Sequence, residues 1–177
     1  MHSFWLLIGV LGGLFVLALK GMRSRRHGTA EARLTPAQKV KAVLASGDAE
    51  RMAATIAETD DLLLKDALLG HIVAIHYRER KNAQSRAAFY RYAEMHIEHA
   101  PEILDALEQS DAGRPDRVHS FRMMAIVLEE DHRYDEAIGV CQRALALGLD
   151  DGTRTGFEGR IARLVKKRDR HHGDENR

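Results

Sequence analysis

The sequence predicts an all-α protein: an N-terminal transmembrane helix followed by an α-solenoid of antiparallel helix hairpins. Three observations predict it. Beyond residue 35, apolar residues recur at spacings of three and four, and no stretch alternates strictly as a half-buried strand would. Only three prolines occur, aromatics make up 6% of the 177 residues, and alanine and leucine are abundant, which suits packed helices better than sheets. Residues 3–19, SFWLLIGVLGGLFVLAL, carry no charge; as a helix they span about 25 Å at ~1.5 Å per residue, the short end of what crosses a bilayer.

The elements follow in order. Residues 1–20 read as a membrane anchor, with Trp5 suited to the interface and Lys20 able to reach headgroups. Positive charge follows the apolar run and no small-residue cleavage pattern appears, unlike a cleaved signal peptide. The positive-inside rule then puts the rest of the chain in the cytoplasm. Gly9 and Gly13 form a G-x-x-x-G pair, a route to a homodimer within the bilayer. Residues 21–35 are a basic juxtamembrane linker, closing on Thr35-Pro36 as N-cap and first helical residue. Helices are predicted over 36–46, 49–59, 62–80, 83–100 and 101–109, the last opened by Pro101. After a turn-rich joint at 110–116 come helices over 117–131, 134–148 and 156–168, and 169–177 read as a disordered charged tail.

Charge is unevenly placed. Residues 20–30 hold Lys20, Arg23, Arg25 and Arg26 with no acid, and 160–177 hold seven Lys/Arg against three acids. Residues 31–159 hold 23 Asp/Glu against 16 Lys/Arg. Basic ends flanking an acidic body fit either a solvated surface or contact with anionic lipid or nucleic acid.

Residues 118–149 resemble a tetratricopeptide repeat. With Val118 as its first position, the core set is Phe121, Met124, Ala125, Leu128, Tyr134, Ala137, Cys141 and Ala144. Alanines at 125 and 137 leave room for two helices to cross closely, and Phe121 and Tyr134 fill the gaps beside them. Cys141 stands where the family usually has an aromatic and Leu149 where it has proline. Residues 71–101 look like a degenerate copy, with Arg86 in place of the crossing alanine. The clear match covers about a fifth of the chain. The layout is similar to small tetratricopeptide proteins of the bacterial inner membrane, such as the lipopolysaccharide assembly protein B family. Members of that family carry a cysteine-ligated metal module, and this chain has a single cysteine, so that role does not carry over.

The resemblance implies a non-enzymatic scaffold or adaptor whose groove is lined by the first helix of the repeat. Its partner-facing residues would be His119, Arg122, Ile126, Glu129 and Glu130. The best-known peptide clamps of the family put asparagine where Ile126 stands, which argues against capture of a carboxyl terminus in that manner. The expected partners are an unidentified protein and, through residues 3–19, the bilayer; nucleic acid is not expected.

Rival chemistries find little support. His96 and His99 lie on adjacent turns, but the H-E-x-x-H spacing that converges on zinc is absent, and no metal or cofactor is predicted. Residues 149–160 lack both phosphate-loop signatures; Gly148 reads as the glycine that ends one helix, Asp150 or Asp151 as the start of a turn, and Thr155 as the cap of the next helix. In the helix that follows, Phe157, Ile161 and Leu164 face inward, Arg160, Arg163 and Lys167 face water, and Gly159 allows close packing against the repeat. No Ser/His/Asp or Cys/His arrangement is readable, so no catalytic residue is predicted, and Cys141 should be buried and inert.

Overall fold

The computed structural model describes residues 34–175, so the expected anchor, its Gly9/Gly13 pair, its bilayer contact and nearly all of the basic linker lie outside the described residues. Within them the protein is all-helical: α1 (Pro36–Ser46), α2 (Ala49–Glu58), α3 (Leu62–Arg78), α4 (Ala83–Glu108), α5 (His119–Glu130), α6 (Tyr134–Ala146) and α7 (Gly156–Glu175), with no strand. No helix among these residues is long and apolar enough to cross a membrane.

Local chemistry starts the first four helices. Thr35 and Gln38 form a reciprocal capping box on α1, each side chain accepting from the other's backbone N–H. Asp48, Asp61 and Asn82 each accept from two backbone N–H groups at the start of α2, α3 and α4. Such side chains satisfy donors that the first helical turn leaves unpaired.

Residues 43–177 form one compact unit, whose division from residues 1–42 falls inside α1. Within the unit each helix from α2 to α4 packs on the next, as do α4 to α7, and α3 also touches α5. The core runs through Met52, Leu68, Ile72, Phe89, Ile97, Ile103, Leu104, Phe121, Phe157 and Leu164, all essentially inaccessible. Ala125 and Ala137 are wholly buried between α5 and α6, and their single methyls set the close approach of those helices. Phe121, Met124, Leu128, Cys141 and Ala144 are also buried, while Tyr134 is half-buried.

Two helix ends close in the same way. After α6, Gly148 takes φ +70°, its N–H donates to the Leu145 carbonyl, and the Leu149 N–H donates to the Ala144 carbonyl at 3.0 Å. This paired arrangement satisfies carbonyls that the last turn leaves open. It explains Leu149 where the repeat pattern would have proline, because proline has no N–H to give. After α5, His132 plays the glycine's part at φ 58°, with Arg133 N–H donating to the Leu128 carbonyl at 2.9 Å.

Three expectations are corrected. Pro101 does not open a new helix but sits inside α4, which runs unbroken for 26 residues. A mid-helix proline leaves the carbonyl four residues back without its donor. Here that carbonyl, Ile97, accepts from Nη2 of Arg143 on α6 at 3.4 Å. Residues 169–175 are not a disordered tail but extend α7 to Glu175, its flank held by an Arg168–Asp135 ion pair at 2.8 Å and by packing of His171 against His132 and Tyr134. Finally, Arg160 does not face water. It is 8% exposed and paired with Asp151, itself 3% exposed, at 3.0 Å.

Gly159 also has a different purpose from the one expected. A Cβ there would come within 2.3 Å of the Thr155 side chain, so the missing side chain makes room for Thr155 one turn earlier rather than for the repeat. Thr155 Oγ1 accepts from Arg163 Nη1 at 3.2 Å.

Candidate partner-binding face

The helix α5 presents His119, Arg122 and Glu130 to solvent, with Ile126 and Glu129 half-buried. The five residues do not form one uniform strip. His119 borders a hollow of about 390 Å³ together with Asp66, Gly70, His71, His96 and Arg117. Ile126, Glu129 and Glu130 border a second hollow of about 340 Å³ with His132, Tyr134 and Lys167.

The two glutamates are already engaged within the chain. Glu129 is bridged by Lys167 of α7. Glu130 takes a forked contact from Arg80, whose Nη2 lies 2.8 Å away and whose Nε lies 3.1 Å away, and a longer one from Arg86. Hydrogen bonding from Arg80 outweighs burial and holds the Glu130 carboxyl below its ordinary range. Exposed ion pairs of this kind are weak, ~0–1 kcal/mol, so a charged partner can exchange them.

Arg86 is the hub of the adjoining turn. Its guanidinium pairs with Asp131 through Nε at 3.1 Å and Nη2 at 2.6 Å, and Nη2 also donates to the Val127 carbonyl at 3.2 Å, in the last turn of α5. Tyr90 donates to the same Asp131 at 2.6 Å. Burial opposes ionisation of Asp131, but the bonds from Tyr90 and Arg86 prevail and its carboxyl titrates below its ordinary range. Burial, and then the bond to Asp131, push the Tyr90 phenol up to about 12. The arginine that breaks the repeat pattern at 86 thus fastens the end of one helix pair to the turn of the next. Nothing in the spacing signals this, because its partners lie more than forty residues away.

A second cluster also escapes the sequence. No Ser/His/Asp arrangement is readable there, yet the fold assembles one from three helices. His96 Nε2 lies 2.9 Å from Asp66 Oδ1, and Nδ1 lies 2.8 Å from Ser120 Oγ. In the neutral ring, Nε2–H donates to the carboxylate and the serine hydroxyl donates to Nδ1. The geometry is that of an activated nucleophile. However, Ser120 is 1% exposed and His96 4%, and Ser120 does not border the neighbouring hollow. In this conformation the cluster ties α3, α4 and α5 together and offers no reachable nucleophile.

The other candidates are quieter. His71 and His99 turn a ring nitrogen to the carbonyl four residues earlier on their own helix. Among the described residues no group of three or more side chains could hold a metal ion. Cys141 is a buried free thiol, pushed up to about 11 chiefly by burial, so it carries no thiolate near neutral pH. On α7, Arg160, Lys167 and Arg168 are all paired with carboxylates of the same chain.

No protein-family model, curated protein or solved structure matches this chain.

Proposed function

We propose that this protein is a non-enzymatic, membrane-anchored scaffold or adaptor. In this reading the helices form a tetratricopeptide-like α-solenoid, and α5 binds a partner protein through His119, Arg122, Ile126, Glu129 and Glu130. Residues 3–19 would anchor it, in a bacterial inner membrane with the helical domain in the cytoplasm. The observation that carries the reading is the packing order. Successive helices pack as neighbours and the first helices of two successive pairs, α3 and α5, also touch, as stacked hairpins do. The fully buried Ala125 and Ala137 at the α5–α6 crossing support the repeat register. The buried Ser120 supports a binding rather than a catalytic role.

A lipid or nucleic-acid surface made by the basic C-terminal segment is less well supported, since three of its cations already have carboxylate partners. The test is quantitative affinity capture from host membranes, with the full chain beside an Arg122→Glu, Glu129→Lys variant. The expected result is a protein partner depleted in the variant. Equal recovery in both samples, or recovery of lipid and nucleic acid alone, would overturn the reading.

A further inference from the structure

A groove of about 440 Å³ separates α4 from α6, away from the five residues proposed to bind a partner. Ile97, Met124, Leu128 and Val140 give it an apolar floor. Two features of its walls are not accounted for by contacts among the described residues.

The first is Gly139. It lies in the interior of α6 with an ordinary helical backbone, and a Cβ there would meet nothing within 4 Å. Glycine at such a place destabilises a helix relative to alanine. Neither a left-handed conformation nor a crowding neighbour among the described residues requires it. It lowers one wall of an open groove, which lets another backbone come close.

The second is a pair of charges. Glu94, on the α4 wall, is exposed and makes no ion pair among the described residues. Arg143, on the α6 wall, spends its Nη2 on the Ile97 carbonyl and makes no ion pair among the described residues. The remaining rim charges, Arg133 and Glu136, neutralise each other at 2.6 Å. A partner of uniform charge would be attracted by one wall and repelled by the other. A second copy of the same surface, turned by a two-fold axis, offers arginine to glutamate and glutamate to arginine, as a self-complementary interface requires.

We propose that this groove is the interface of a symmetric homodimer in which α6 packs against α6 of a second copy across Gly139, with Glu94 of each copy facing Arg143 of the other. The experiment is sedimentation equilibrium of the full chain in a mild detergent. Reversing one charge, Glu94→Arg, should weaken self-association about tenfold or more, because like charges then face each other. Arg143→Glu should weaken it beyond Arg143→Gln, the control for the lost bond to the Ile97 carbonyl, and the double reversal should restore it to the level of Arg143→Gln. Gly139→Leu should raise the thermal midpoint of the monomer while weakening the dimer, a split that a merely structural glycine would not give. A monomer at all concentrations, a dimer indifferent to Glu94→Arg, or a double reversal that fails to rescue would each overturn the proposal. Indifference to Glu94→Arg would also separate this interface from any pairing through Gly9 and Gly13.

Discussion

The turn between α5 and α6 and the joint between α6 and α7 solve one problem with the same tools in different solvents. Each begins with a helix end closed by a left-handed residue, and each is pinned by an arginine reaching an aspartate. At the first, the residue is His132 and the ion network of Arg80, Arg86, Glu130 and Asp131 is partly open to water. At the second, the residue is Gly148 and the pair of Arg160 with Asp151 is sealed, the aspartate side chain being wholly inaccessible. Hydrogen bonds from Thr153 to Asp151 complete the second site. The difference teaches that an ion pair's distance says little about its worth. Water around the first lets either partner be lost at smaller cost. Its absence around the second makes each partner indispensable to the other.

The comparison breaks most visibly at Arg160. Arg160→Met leaves a buried carboxylate alone and should cost about 3–5 kcal/mol in chemical denaturation. Asp151→Leu combined with Arg160→Met should recover much of that loss. A double variant no better than the single would show that the Thr153 bonds, and not the ion pair, secure the joint. Arg86→Ala should cost less, about 1–3 kcal/mol, since one carbonyl bond and a half-exposed pair are lost. Its penalty should shrink in 1 M salt, which screens exposed charge, while that of Arg160→Met should not.

The left-handed residues sharpen the contrast on a smaller scale. His132→Gly should stabilise by about 0.5–1 kcal/mol and Gly148→Ala destabilise by about the same, read as opposite shifts in thermal midpoint. Equal signs would mean that His132 is held by its Tyr134 and His171 contacts and not merely tolerated. The smallest effect is in the titration. Glu130 and Asp131 are depressed in the folded protein, so the unfolded chain binds protons more readily. Their contribution is full above the ordinary carboxylate range and fades as pH falls through it and below. Tyr90 runs the other way: raised to about 12, it contributes below pH ~10 and is lost between ~10 and ~12. Ultraviolet titration should show one of the four tyrosines ionising last, and Arg86→Ala should flatten the acid limb of the stability curve.

What could be read from the chain divides along the same line. Thr35, Asp48, Asp61 and Gly148 announce helix ends because capping acts within three or four residues. Helical period announces the face that bears Leu164, and the resemblance to a tetratricopeptide repeat announces Phe121 and Ala125. Arg86, Arg160 and the Asp66–His96–Ser120 cluster escape notice because their roles are set by partners on other helices or across a turn. An arginine on a charged helix such as α7 looks solvated until the turn before it folds back with Asp151. Pro101 misleads for the same reason, since the rule that helices stop at proline assumes that no distant donor replaces the missing one. The five α5 residues proposed to meet a partner were legible as a helix face, but the pairing of Glu129 with Lys167 and of Glu130 with Arg80 was not.

The bond from Arg143 to the Ile97 carbonyl also bears on the order in which the chain becomes structured. The donor that accompanies the passage of α4 through Pro101 is made 46 residues later. Until α6 has docked, the segment after Pro101 has a weaker reason to continue the helix, so the last two turns of α4 should mature with α6 and not with α3. Hydrogen exchange would see this as protection of residues 102–108 rising together with that of α6, so that a helix continuous in space belongs to two folding events in time.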